Sequence, residues 1–82
     1  MWYVYVLRSN KDKNLYIGFT NDLKRRIKEH QSGKNISTAK RLSVILETYI
    51  AVTTKKQAME LEKYFKTGSG STILKKRIIG ES

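Results

Sequence analysis

The sequence predicts an α/β domain with the element order β-β-α-β-α. Three observations predict it. Two short tyrosine-bearing strand patterns are separated by a polar turn, two later stretches carry apolar residues at helical spacing, and an apolar segment lies between those stretches.

Residues 2–7 are rich in aromatic and β-branched types and read as a strand. Ser9 to Asn14 is wholly polar and reads as a turn, and residues 15–19 return as a second strand, so the chain opens with a β-hairpin. An even loop puts Tyr3 and Tyr5 on one face with Tyr16 and Gly18, because side chains alternate along a strand. An odd loop would separate them. A helix then starts near Thr20 or Asn21, both capping types, with Asp22 suited to the positive end of the helix. It runs to about Gln31, and Gly33 suits its termination. Residues 34–42 form a basic connection. Residues 43–52 are apolar at both parities, the pattern of a strand covered on both sides. Thr53 and Thr54 precede a second helix at about 55–67. Gly68-Ser69-Gly70-Ser71 reads as a flexible break, and 72–79 as a short basic C-terminal helix or tail.

A chain of 82 residues is expected to form one domain with a thin core. It carries 17 Lys and Arg against 7 Asp and Glu, a formal net charge of +10 spread through both halves. Such a surface attracts phosphates and releases counterions on binding nucleic acid. The chain contains no cysteine, which excludes disulfides and thiolate metal sites, and a single histidine cannot build a zinc finger. Gly68-Ser69-Gly70 lacks the Gly-Lys-Ser/Thr that completes a phosphate-binding loop. No apolar run is long enough to span a bilayer, and no signal-peptide pattern precedes the first strand, so a cytoplasmic location is the default expectation.

Two helix faces carry groups that are out of place on an apolar stripe. Leu23, Arg26, Ile27 and His30 align by 3.6-residue spacing, with Lys24, Arg25 and Lys28 pointing elsewhere. Arg26 either lies its stem along apolar surface or lines a cleft, and His30 is either a satisfied boundary residue or a functional one. On the second helix Ala58, Leu61, Glu62 and Phe65 align, while Glu60 lies off the stripe. Glu62 is either an ion-pair partner of Arg26 or a lysine, or a ligand for a hard cation. Tyr3, Tyr5 and Tyr16 suit strand packing, and exposed strand aromatics also stack bases. Trp2 reads as core.

Taken in order, these residues resemble the GIY-YIG nuclease superfamily. Tyr3-Val4-Tyr5 is similar to the first tripeptide, with Tyr3 in place of its glycine, and Tyr16-Ile17-Gly18 matches the second. Thr20, Asn21 or Asp22, Leu23 and Arg26 resemble the helix start that bears the family's catalytic arginine. His30 matches a histidine common one turn later, and Glu62 falls where the family has its metal-binding glutamate. The likeness covers nearly the whole chain. It is nearest to small bacterial members that resemble the nuclease domain of the excision-repair incision subunit. For the family's late polar residue the nearby candidates are Thr67, Ser69 and Ser71.

The resemblance implies a small α/β (α+β) sandwich, with a three-stranded, mainly antiparallel central sheet flanked by helices. It implies hydrolysis of DNA phosphodiester bonds, in repair or recombination, with one Mg²⁺ or Mn²⁺ on Glu62. Arg26 is expected to stabilise transition-state charge, Tyr5 or Tyr16 to position or deprotonate the attacking water, and His30 to assist proton transfer. Tyr3 and Gly18 are expected to be structural parts of the motif. Lys24, Arg25, Lys28, Lys40, Arg41 and Lys66 are expected to track the DNA backbone. A non-catalytic nucleic-acid-binding module on the same scaffold, for DNA or RNA, is the alternative, and docking on a larger repair protein is a third reading.

Overall fold

A computed structural model describes residues 1–31 and 44–80. The elements are β1 (Trp2–Ser9), β2 (Leu15–Thr20), α1 (Leu23–Gln31), β3 (Val44–Val52), α2 (Lys55–Phe65), α3 (Gly68–Ile73) and a π-helical segment (Leu74–Ile79) that continues α3. Gly33, the 34–42 connection, Lys40 and Arg41 lie outside the described residues. Among the described residues no helix is long and apolar enough to cross a membrane.

The three strands form an antiparallel sheet in the order β2-β1-β3. β1 takes the centre because its side chains are apolar on both faces: Val4, Val6 and Leu7 are all but inaccessible to solvent. The hairpin realises the even case. Arg8 pairs with Leu15 across the turn, Tyr5 with Gly18 and Leu7 with Tyr16, so the tyrosines share a face. The turn is held by Ser9, whose hydroxyl accepts from the Lys11 amide at 3.2 Å, and by Asp12, which accepts from the Asn14 amide at 3.0 Å. Lys13 sits in the left-handed region at φ 63°, and its carbonyl accepts from the Arg8 guanidinium at 2.9 Å.

Helices cover both faces of the sheet. On one face α2, α3 and the π segment bring Ala58, Phe65 and Leu74 onto Val4 and Val6. On the other, Leu23 and Ile27 of α1 pack with Tyr5, Leu7, Val44, Leu46 and Tyr16. The arrangement is the expected helix-flanked sandwich of α+β type.

Four local expectations are corrected. α1 begins at Leu23, later than Thr20 or Asn21, because Thr20 still pairs with Tyr3 in the sheet. Asp22 is the cap: its carboxylate accepts from the Arg25 amide at 3.1 Å and its carbonyl from the Arg26 amide at 3.1 Å.

β3 is an edge strand and is not covered on both sides, since Ile45 is 50% and Tyr49 52% exposed. Its apolar residues occupy both parities because the register shifts opposite Val6 and Leu7. Val6 pairs with Thr48 but Leu7 with Leu46, so Glu47 is an extra residue and the alternation reverses beyond it. Val52 and Ile50 thus face α2, whereas Leu46 and Val44 face α1. Glu47 accepts from Arg8 at 2.9 Å, which ties the bulge to the central strand.

α2 ends at Phe65, short of the expected 67. It starts with a capping box, in which Thr54 Oγ1 accepts from the Gln57 amide and Gln57 Oε1 from the Thr54 amide, each at 3.2 Å. Residues 68–71 are helical, not a flexible break. Thr67 caps α3 by accepting from the Gly70 amide at 3.0 Å while its hydroxyl donates to the Tyr64 carbonyl at 2.6 Å. The glycine is required for contact, because a Cβ on Gly70 would overlap the Tyr64 carbonyl. This close approach lets α3 turn directly off the end of α2.

Gly70→Ala is therefore expected to destabilise the fold by about 1–3 kcal/mol through overpacking against backbone. Gly68 lies on the same helix with nothing near its would-be Cβ. Gly68→Ala is expected to be neutral or stabilising by up to about 1 kcal/mol. Urea unfolding of the pair measures both signs.

Candidate active site

Tyr5 projects from the centre of the sheet towards the free edge of β2. Its phenol lies across Gly18, its cross-strand partner, so closely that a Cβ on Gly18 would overlap the hydroxyl and Cζ. The hydroxyl meets His30 Nε2 at 3.1 Å, and the two rings stand edge to face with centroids 5.6 Å apart. Both residues are about 4% exposed. His30 comes from the last turn of α1, the position its place on the apolar stripe predicted.

A cleft of about 430 Å³ opens beside this pair, lined by Tyr5, Gly18, Thr20, Arg26 and Glu62, with Trp2 and Lys55 at one side. Arg26 reaches it from α1 and Glu62 from α2, although these helices pack on opposite faces of the sheet. The strand between them is an edge, so groups from both faces can meet around it. Arg26 donates to Glu29 at 3.3 Å and remains 40% exposed. Glu62 is 20% exposed, and Lys66 lies 3.6 Å from its carboxylate. The ion-pair reading of Glu62 is thus realised with a lysine, and its carboxylate still lines the cleft.

Burial dominates the protonation of the central pair. It raises the Tyr5 phenol above its ordinary 10.0, with Arg26 opposing and Glu62 and Glu29 reinforcing the rise. It lowers the His30 imidazole below its ordinary 6.5, Arg26 adding to the fall and Glu29 opposing it. Both groups are therefore neutral near pH 7, and a neutral imidazole retains one nitrogen that accepts a proton.

Tyr16 shares the tyrosine face and packs against the Tyr5–Leu7–Val44 cluster. It lines a neighbouring cavity of about 470 Å³ with Arg8, Lys66 and Lys75, and not the Arg26–Glu62 cleft. Tyr3 stands opposite Thr20, its ring 6.0 Å from that of Tyr49. Of the basic residues, Arg25 lines the cleft and is also near Asp22. Lys24 and Lys28 are exposed on the outer side of α1. Of the late polar candidates, Thr67 is engaged in capping, Ser71 lines the neighbouring cavity, and Ser69 is exposed.

Lys55 and Trp2 are the residues that sequence reasoning missed. The Lys55 ammonium lies 5.7 Å from the Trp2 ring centroid, and both line the cleft. The signal was present for Lys55, which precedes Glu62 by two helical turns on one stripe. Trp2 gave no such signal, because a strand tryptophan reads equally as core.

Among the described residues no group of three or more His, Cys, Asp or Glu side chains could hold a metal ion. One carboxylate is nevertheless compatible with Mg²⁺, which keeps several waters and takes its remaining oxygens from substrate phosphate. The half-buried Glu62 carboxylate, open to the cleft, fits that requirement.

The model of the GIY-YIG catalytic domain matches residues 1–77. Relatives include a UPF0213 protein of Bacillus licheniformis, 45% identical over 65 residues, which are 78% of this chain and 66% of that protein. A UPF0213 protein of Vibrio campbellii is 41% identical over 66 residues, 79% of this chain and 62% of that protein. The chain thus matches somewhat under two thirds of the length of these two relatives. The solution NMR structure of a UPF0213 protein from Bacillus halodurans is similar at a TM-score of 0.56, with 37% identity over 90% of this chain and 82% of that one.

Two outcomes are expected of the Tyr5–His30 pair. A histidine with a depressed folded pKa binds fewer protons folded than unfolded, so stability rises with pH between the folded value and the unfolded value of about 6.5. That contribution is complete above about pH 6.5 and is lost as pH falls through the folded value. Melting temperature followed against pH should show this segment in wild type and a flatter one in His30→Asn. Gly18→Ala should displace the Tyr5 phenol and cost about 1–3 kcal/mol. Denaturant unfolding gives the cost, and the His30 ring resonances report loss of the contact.

Proposed function

Because the chain belongs to the GIY-YIG catalytic-domain family, we propose that it is a divalent-metal-dependent endonuclease that hydrolyses DNA phosphodiester bonds at the Tyr5–Arg26–Glu62 cleft. GIY-YIG domains are generally nucleases and generally depend on a divalent metal. The observation that most supports the reading is the meeting of a phenol, a guanidinium and a carboxylate from three elements in one cleft.

Glu62 would hold the Mg²⁺ or Mn²⁺. When bound there, the ion supplies neutralisation of phosphate charge and stabilisation of the leaving oxygen. Arg26, only loosely engaged by Glu29, turns its guanidinium towards the charge that builds on the phosphate oxygens in the transition state. Tyr5 orients the attacking water. Its raised pKa rules it out as an independent base at neutral pH, so it acts through His30. The phenol takes the water's proton as it passes its own to His30 Nε2, which is kept neutral by burial. Proton handling stays with Tyr5, because Tyr16 faces the adjoining cavity. Lys24, Arg25 and Lys28 hold the DNA backbone without reading sequence. The resemblance to an excision-repair nuclease domain supports work in DNA repair or recombination.

Purified protein is incubated with supercoiled plasmid and Mg²⁺ or Mn²⁺, or with chelator. Open-circular product is expected only with metal, and Glu62→Gln should abolish it. Arg26→Ala should slow nicking on the order of a hundredfold. DNA binding by that variant should stay near wild type, since 16 of the 17 Lys and Arg residues remain. Lys11→Ala, an equal charge loss in the hairpin turn outside the cleft, should nick and bind like wild type. Melting curves establish that each variant is folded. Equal nicking by a folded Arg26→Ala protein would refute the site. Binding without nicking under either metal would make the chain a non-catalytic binding module.

A further inference from the structure

We propose that Tyr3 and Tyr49 form a platform on which a nucleobase of an unpaired strand stacks beside the cleft. The inference rests on the nucleic-acid reading above and specifies the form of substrate that the site takes. The two rings contact each other edge to face, with centroids 6.0 Å apart at 67°, on the face of the sheet that carries Tyr5. Neither belongs to either apolar cluster of the domain, and Tyr49 is 52% exposed. Packing against the apolar clusters of the described residues therefore does not account for this pair, with Tyr3 half-buried and Tyr49 largely exposed. Among the described residues, Leu23 and Ile27 of α1 pack towards Tyr5, Leu7, Leu46 and Val44 on this face, and Tyr3 and Tyr49 lie outside that cluster.

Register fixes where the platform stands. Tyr3 is directly opposite Thr20, which lines the cleft, and Tyr49 is directly opposite Tyr5. Directly opposite residues have Cβ atoms about 5 Å apart. A strand whose phosphate lies in the cleft thus has its neighbouring base within reach of these rings. Ala51, opposite Tyr3 on β3, is small and exposed, and leaves room above the sheet for a planar group.

Charge selects the partner. A chain of net charge +10, with Arg25 and Arg26 at the cleft, draws a polyanion to this edge. The platform itself carries no charge and offers only ring faces and hydroxyls. Every base has a π-face, so such a platform binds unpaired bases with little regard to sequence. Bases inside a duplex already have both faces stacked, so the platform favours single-stranded, frayed or flapped ends.

The test compares two fluorescent oligonucleotides of equal length by anisotropy at one salt concentration. One is oligothymidylate, and the other carries abasic tetrahydrofuran residues throughout. Wild type is expected to bind the thymidylate strand on the order of tenfold more tightly. The double variant Tyr3→Val, Tyr49→Val keeps strand-forming side chains. It should lose that preference and match wild type on the abasic strand, which also reports an intact fold and charged surface. The double variant Tyr3→Phe, Tyr49→Phe should retain the preference, since stacking needs the ring and not the hydroxyl. Equal binding of both strands by wild type, or a preference that survives in the valine variant, would overturn the platform and leave the nuclease reading standing. Failure of wild type to bind either strand would also overturn the platform, while the nuclease reading is decided separately by nicking of the plasmid.

Discussion

The contact between the Tyr5 phenol and Gly18 is the constraint on which the site depends. A tyrosine on a central strand normally stands over its neighbours. Here the partner has no side chain, and the phenol lies down across β2 towards its free edge. That orientation carries the hydroxyl to His30 and opens one side of it to the cleft. Any side chain at position 18 would lift the ring and part the phenol from both. The glycine thus serves close approach between strands, with no unusual backbone angle required.

The edge of β2 does the rest. α1 and α2 pack on opposite faces of a thin sheet, and among the described residues no further strand separates their side chains at that border. Arg26 and Glu62 consequently act on one phenol with opposite signs, the guanidinium favouring the phenolate and the carboxylate opposing it. Burial outweighs both and keeps the phenol protonated. The same burial keeps His30 neutral. A neutral donor and a neutral acceptor can share a buried hydrogen bond without the desolvation cost of a charge.

The departures from expectation have a common origin in single contacts that reset local structure. One extra residue at Glu47 reverses the alternation of β3, and its carboxylate is held by Arg8. A run that looks doubly covered therefore serves two faces in succession. Gly70 looks like a flexible point, yet it is pressed against the backbone of Tyr64 within a capped helix. In both cases composition suggested one physical cause, and a neighbour distant in sequence or across a helix junction supplied another.

What the sequence alone determined was the order of the first five elements and the inward stripes of the two longer helices. Helical spacing is a local periodicity, so the stripes bearing Arg26, His30 and Glu62 could be read without a partner in view, whereas the parity of the hairpin was decided only by its register. The motif order likewise singled out Tyr5, Gly18, Arg26 and Glu62. Only the tertiary structure decided that Arg26 and Glu62 meet, because they lie on opposite faces and come together only around an edge strand. It alone separated Tyr5 from Tyr16, which share a face but line different cavities. It alone left Tyr49 exposed beside a half-buried Tyr3, since the reach of a nine-residue helix across a sheet depends on where it docks. Periodicity states which way a side chain points, and the packing of whole elements decides what it meets there.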